Sequence, residues 1–219
     1  MKIIAIIPAR GGSKRIPKKN IIDFMGKPMI AWTIEAAVKS KIFDKIIIST
    51  DSEEIAKVGR DYGLEVPFLR QDKNDDISPV SEATIAAVKQ AEVHYNEKYD
   101  IVVQLMANAP IRNEDDIKNQ YNEFIKYNRN FQLSSFKFGW MNPWWAAKIN
   151  KDGSPDWLYP DGIVKRSQDL EDLYCPTGVI WIANIEKLLK SDTFYGPGHK
   201  FCELNWKSAV DIDDYDDLE

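Results

Sequence analysis

Lys2-Ile3-Ile4-Ala5-Ile6-Ile7 runs straight into Pro8-Ala9-Arg10-Gly11-Gly12-Ser13-Lys14-Arg15-Ile16-Pro17-Lys18-Lys19-Asn20, and the reading of that junction decides the fold. An unbroken run of isoleucines and alanine is the pattern of a strand buried on both faces, as in a parallel sheet. Two adjacent glycines then let the backbone approach a ligand closely. Arg10, Lys14, Arg15, Lys18 and Lys19 crowd positive charge where the strand ends. A buried strand feeding a flexible cationic loop suits a polyphosphate.

Working outward, strand-like runs alternate with helix-like ones. Pro28 to Lys39 carries Ile30, Ile34, Ala37 and Val38 at helical spacing, with Pro28 suited to a first turn. Lys45 to Ser49 reads as a second strand, and Thr50-Asp51-Ser52 as a capping sequence before a helix over Glu53 to Tyr62. Val80 to Tyr95 and the acid-started Glu114 to Tyr127 read as helices around a buried strand at Ile101 to Leu105. This alternation predicts an α/β fold, a mostly parallel sheet with helices on both faces. Ligands of such sheets bind beyond the carboxyl ends of the strands, where the Arg10 to Lys19 loop, Asp51 and the Met106 to Arg112 turn emerge.

From Phe131 to about Asp172 the regularity fails, and Trp140, Trp144, Trp145 and Trp157 stand among Gly and Pro. A small inserted lobe over about 138–172, within one domain spanning 1–219, is expected. Its tryptophans suit either a subunit interface or packing on the parent domain. Val179 to Ala183, Asn184 to Lys190 and a strand at Ser208 to Ile212 are expected to return to the main sheet, with a terminal helix starting near Asp214.

The chain has 219 residues and a formal net charge of -5. An acidic protein with one basic loop fits a small anionic substrate better than a nucleic acid, which needs a broad basic face. Two widely spaced cysteines and two histidines suggest neither a disulfide framework nor a zinc site. With no apolar run of membrane-spanning length, a soluble cytoplasmic protein is expected. The spacings of P-loop NTPases and of dinucleotide binders are both missing, so hydrolase and dehydrogenase readings lose their anchor.

Ile6 to Asn20 resembles the signature of the cytidylyltransferases that activate sialic and related nonulosonic acids, the CMP-acylneuraminate synthetase family. Further matches follow in order: Ser49-Thr50-Asp51, Phe68-Leu69-Arg70, Ala109-Pro110-Ile111-Arg112, Arg166-Ser167-Gln168-Asp169-Leu170 and Val210-Asp211-Ile212-Asp213. The resemblance implies a Rossmann-like fold with the lobe used for dimerisation, a homodimer, CTP, and magnesium or manganese. Its activity would move CMP from CTP to the anomeric hydroxyl of a sugar acid, releasing pyrophosphate. A nucleotidyltransferase acting on another sugar or a sugar phosphate, and a non-catalytic nucleotide binder, are the alternatives.

By that resemblance Arg10, Lys14 and Lys19 are catalytic, stabilising charge that builds on the α-phosphate and the leaving pyrophosphate. Ala9, Gly11, Gly12 and Ser13 join them around the nucleotide, and Asn20 would reach the ribose or base. Arg70 resembles the family's base-binding arginine; Ser78, before Pro79, serves either the nucleotide or a helix cap. Asp211 and Asp213, two apart on the expected strand, would share a face and hold the metal; a helix start is the alternative use of Asp213 with Asp214, Asp216 and Asp217, and the later acids are left to capping.

The acceptor site is where the chain leaves the family pattern. Leu105-Met106-Ala107-Asn108-Ala109-Pro110-Ile111-Arg112 puts Met106 in place of a sugar-contacting glutamine. An alternative register using Gln104 sets that amide two residues early, on the opposite end of the turn. Thr177-Gly178 replaces Asn-Gly. Met106, Asn108, Thr177 and Arg166, the last as a bidentate partner for the sugar's carboxylate, are the expected acceptor residues. These departures point to an acceptor of another kind, such as a pseudaminic or legionaminic type.

Overall fold

The computed structural model describes residues 1–70 and 80–219. In chain order its first half contains β1 (Ile3–Pro8), the short β2 (Asp23–Phe24) and β3 (Lys27–Pro28), α1 (Met29–Ser40), β4 (Lys45–Ser49) and α2 (Glu53–Asp61). It continues with α3 (Val80–Tyr95), β5 (Ile101–Leu105) and α4 (Glu114–Lys126). The second half contains β6 (Phe131–Lys137), β7 (Ala147–Ile149), β8 (Pro155–Trp157), α5 (Pro160–Ile163), β9 (Tyr174–Asn184), α6 (Ile185–Ser191) and β10 (Lys200–Glu203).

Six strands form the main sheet in the order β10-β6-β9-β5-β1-β4. β1 pairs in parallel with β4 and β5, and β10 with β6, whereas β9 runs antiparallel to both β5 and β6. The isoleucine run of β1 serves both faces. Ile3, Ala5 and Ile7 enter a core with α1, α2 and α4, while Ile4 and Ile6 enter a second core with α3 and α6. Burying each such isoleucine contributes about 1.5–3 kcal/mol, so one strand anchors both layers.

Local chemistry starts the helices where expected. Ser52 accepts a bond from the Ile55 amide at the start of α2. Asn113 and Asp116 form a reciprocal capping box on α4.

Three expectations need correction. Phe131 to Lys137 is no irregular stretch but a sheet strand whose Gln132, Ser134 and Ser135 are buried. Two of them find distant partners: Gln132 Nε2 donates to the Gln120 carbonyl at 2.8 Å, and Ser134 Oγ bonds Thr177 Oγ1 at 2.9 Å, while the Ser135 hydroxyl has no partner among the described residues. The return strand β9 begins five residues earlier than Val179 and carries a bulge opposite Leu133 to Ser135. Ser134 Oγ accepts the Ile180 amide there and Thr177 Oγ1 the Val179 amide, which satisfies backbone freed by the bulge. Third, Ser208 to Ile212 is turn and coil rather than strand, and the final acids make a single 3-10 turn at Asp216–Leu218.

The β7–β8 hairpin forms a two-stranded sheet of its own, separate from the main sheet, and α5 follows it. Trp144 and Trp145 tie this lobe together, donating to the Glu171 and Gly162 carbonyls at 3.0 and 3.1 Å. Trp140 is 80% exposed.

Candidate active site

The cationic loop is held by its apolar residue. Ile16 is fully buried with Met29 and Ile212 in a small third core, which joins the loop to the C-terminal segment. Asn20, expected at the ribose or base, donates from Nδ2 to the Arg10 carbonyl at 3.0 Å, so its amide braces the loop's two ends. Gly11 donates its amide to Asp51 Oδ1 at 2.7 Å, and a Cβ there would come within 3.0 Å of Ser52 Cβ. That glycine's close approach is therefore to the β4–α2 turn. Gly12 has open space around it.

Beyond the carboxyl ends of β1, β4 and β5 lies a cavity of about 620 Å³. Arg10, Ser13, Lys14, Arg15, Lys19, Asn20 and Arg70 line it on one side; Met106, Asn108, Asp211 and Asp213 also face it, with Val80 and Ala83 of α3. Among the described residues, five cations against two carboxylates make it a positive recess on an acidic protein, a field that gathers small polyanions.

The acids owe their place to long-range bonds, not to a strand. The Ile212 amide donates to the Asn108 carbonyl at 2.8 Å, and Asn108 Nδ2 donates back to the Ile212 carbonyl at 2.9 Å. Lys19 Nζ adds a bond to that carbonyl at 2.9 Å and reaches Asp213 Oδ1 at 2.7 Å, while Arg15 Nη2 meets Asp213 Oδ2 at 2.7 Å. Burial works to raise the Asp213 carboxyl, but Lys19 and Arg15 outweigh it and hold the group below its ordinary range. Asp211 goes the other way, pushed up by desolvation and then by the charge of Asp213. Two acids in mutual repulsion are a fitting donor set for a hard divalent cation, whose charge would relieve both. Arg70 is buried, and that burial pulls its guanidinium's pKa down, opposed by Asp51 and aided by Arg10.

Several sequence candidates lie elsewhere. Ala9 is buried and donates its amide to the Ser49 carbonyl at 2.9 Å. Lys18 turns to Glu54 at 2.8 Å. Thr177 is spent on the β9 bulge, and its carbonyl accepts Trp181 Nε1 at 2.6 Å, so it does not line the cavity. Arg166 sits on the lobe in a two-pronged pair with Asp169, Nε to Oδ2 at 2.7 Å, away from this chain's cavity lining. Ser78 lies outside the described residues, as do Asp75, Asp76 and Ile77.

Sequence reasoning did not place Val80 and Ala83 here, since nothing in a helix's apolar pattern says which turn ends at a cavity. It also missed the support beneath Met106. Arg112, fully buried, donates from Nη1 to the Val179 carbonyl at 2.9 Å and from Nη2 to Thr33 Oγ1 at 2.6 Å; Thr33 in turn donates to the Met106 carbonyl at 3.1 Å. Burial pulls the Arg112 guanidinium down to about 9.

Such a recess, at the carboxyl edge of a mostly parallel sheet, suits a polyphosphate ligand such as a nucleotide. Residues 4–139 match the family model described as Cytidylyltransferase, and the chain belongs to that family. It is 37% identical over 220 residues to a pseudaminic acid cytidylyltransferase of Campylobacter jejuni, covering 100% of this chain and 94% of the relative. A CMP-N,N'-diacetyllegionaminic acid synthase of Legionella pneumophila is 35% identical over 227 residues, covering 97% and 91%. In fold, the chain resembles a CMP:2-keto-3-deoxy-manno-octonic acid synthetase complexed with CTP, at a TM-score of 0.69 and 17% identity over 98% of this chain and 94% of that one. The Rossmann-like architecture is shared with it.

Proposed function

We propose that the protein transfers CMP from CTP to the anomeric hydroxyl of a nonulosonic sugar acid. The observation that carries this reading is the convergence of Arg10, Lys14, Arg15, Lys19 and Arg70 with Asp211 and Asp213 on one cavity. The hydroxyl oxygen attacks the α-phosphorus, the bond from that phosphorus to the β-bridging oxygen breaks, pyrophosphate leaves, and the hydroxyl proton passes to water. Arg10, Lys14 and Lys19 hold the triphosphate and offset charge building on the leaving pyrophosphate. Ser13 and the loop backbone at Gly11 and Gly12 shape the phosphate side, while Arg70 faces the nucleoside. Met106 and Asn108 border the acceptor's space.

Asp211 and Asp213 would hold magnesium or manganese, which when bound neutralises phosphate charge and lowers the acceptor hydroxyl's pKa. Lys19 and Arg15 must then exchange Asp213 for phosphate oxygens.

The lobe exposes Trp140, Met141, Ile149 and Val164, a face suited to a second copy of the chain. We read the protein as a homodimer on that basis, with Arg166 of the lobe available to a neighbouring copy. A cytoplasmic setting fits the two unpaired cysteines and the supply of CTP. No helix among the described residues is long and apolar enough to cross a membrane.

Pyrophosphate release across a panel of nucleoside triphosphates and sugar acids tests the reading. Release that requires CTP, a nonulosonic acid and a divalent metal is expected. No release with any pairing would overturn it.

A further inference from the structure

One layer beneath the cavity wall, Gln104 is fully buried near the carboxyl end of β5. Thr84 Oγ1, also fully buried on α3, donates to its Oε1 at 2.6 Å. Among the described residues, the partner of its Nε2 is the sulfur of Met106, 4.0 Å away. A thioether is a weak acceptor, so a buried amide carrying two N–H donors is left poorly satisfied. Met106, one residue past β5, lines the cavity, and its sulfur stands against the Gln104 amide.

Met106 is built to move at its side chain and not at its backbone. Its carbonyl is held by Thr33 and by Arg112. Its side chain lies over Gly178, where an added Cβ would come within 3.3 Å of Met106 Cγ. Three rotatable bonds let the sulfur swing aside without disturbing the turn.

Among the described residues, the side-chain amides of the lining are engaged, Asn108 Nδ2 on the Ile212 carbonyl and Asn20 Nδ2 on the Arg10 carbonyl. Val80 and Ala83 contribute apolar wall to the same cavity, Ala83 next in sequence to Thr84. A donor framed by apolar groups is complementary to a substituent with an accepting oxygen and a small alkyl end.

We propose that Gln104 is a specificity-determining residue of the acceptor site: with Met106 turned aside, Nε2 donates to the carbonyl oxygen of an acylamino group on the sugar acid, whose alkyl end packs on Val80 and Ala83. This rests on the reading of the cavity as a site of CMP transfer.

The test is steady-state pyrophosphate release with CTP and two sugar acids, one carrying an acylamino group and one carrying a hydroxyl in its place. Gln104→Met removes the donor at similar volume. It is expected to raise KM for the acylamino acceptor about five- to tenfold, the worth of one hydrogen bond, while KM for CTP changes less than twofold. The preference for acylamino over hydroxyl acceptor should shrink by the same factor. Met106→Ile, whose branched side chain cannot swing clear, should reproduce that selective loss with Gln104 intact, and so serves if Gln104→Met does not fold. A preference that survives both substitutions, or a rise in KM that is equal for CTP and acceptor, overturns the role of Gln104 while CMP transfer stands. No turnover of the wild type with any sugar acid overturns both.

Discussion

Asp213→Asn keeps the shape of the side chain and removes its charge, and the structure sets what that should do. Asp213 accepts from Lys19 and from Arg15, both at 2.7 Å, but the pairs differ in exposure: Arg15 is 63% exposed and Lys19 only 14%, against 38% for Asp213 itself. Solvent screens the Arg15 pair to almost nothing, and the Lys19 pair, discounted for the open carboxylate, is worth about 1 kcal/mol. In a chain of this size that lowers Tm by roughly 2–4 °C.

The pH dependence follows from the direction of the shift. The carboxyl of folded Asp213 lies below its ordinary value of 3.8, so its contribution is complete above that value and is lost as pH falls through the folded pKa. The gap in Tm between wild type and variant should therefore hold steady at neutral pH and close in acid.

Ligand binding should move the other way. Lys19 and Arg15 must leave Asp213 to meet the triphosphate, so abolishing that competition should tighten metal-free CTP binding about fivefold, the equivalent of about 1 kcal/mol. Calorimetric titration of CTP in the presence of a chelator measures this directly. Metal-dependent turnover should fall at least about tenfold, since one ligand of the cation is lost. Unchanged or weaker metal-free CTP binding in the variant, alongside a lowered Tm, would refute the competition between carboxylate and phosphate.

Arg10→Ala and Lys14→Ala should each cost about tenfold or more in kcat/KM for CTP, measured by pyrophosphate release, with little change in Tm. Asp211→Asn should abolish most metal-dependent turnover while leaving the fold intact; full activity would remove Asp211 from the metal site. Gly196→Ala would press a Cβ against the buried ring of Phe131, with Cε1 at 2.8 Å, so a loss of about 1–3 kcal/mol in denaturant unfolding with kcat unchanged is expected. At pH 8, alkylation followed by mass spectrometry should label Cys175 and spare Cys202, whose thiol burial and Glu123 push up to about 12.

Much of the architecture is local in origin and could be read from the chain. The isoleucines of β1, the helical spacing of Ile30, Ile34 and Ala37, and the Ser52 cap each act through neighbours a few residues away. The cationic loop is likewise a matter of composition, and the resemblance of its residues to the cytidylyltransferase signature agreed with the family the chain belongs to. β6 escaped because its buried Gln132 and Ser134 look like loop residues. They become strand residues only once Gln120 and Thr177 supply partners 12 and 43 positions away.

The sequence by itself determined the alternation of strand and helix and the charge of the loop, because periodicity and composition are properties of short windows. Only the tertiary structure decided that β9 runs backwards, that Asn108 draws Asp211 and Asp213 to the cavity without a strand, and that Gln104 waits beneath Met106. Those outcomes depend on hydrogen bonds that buried polar groups must find across the fold, and which partner each finds is set by where the backbone has already gone.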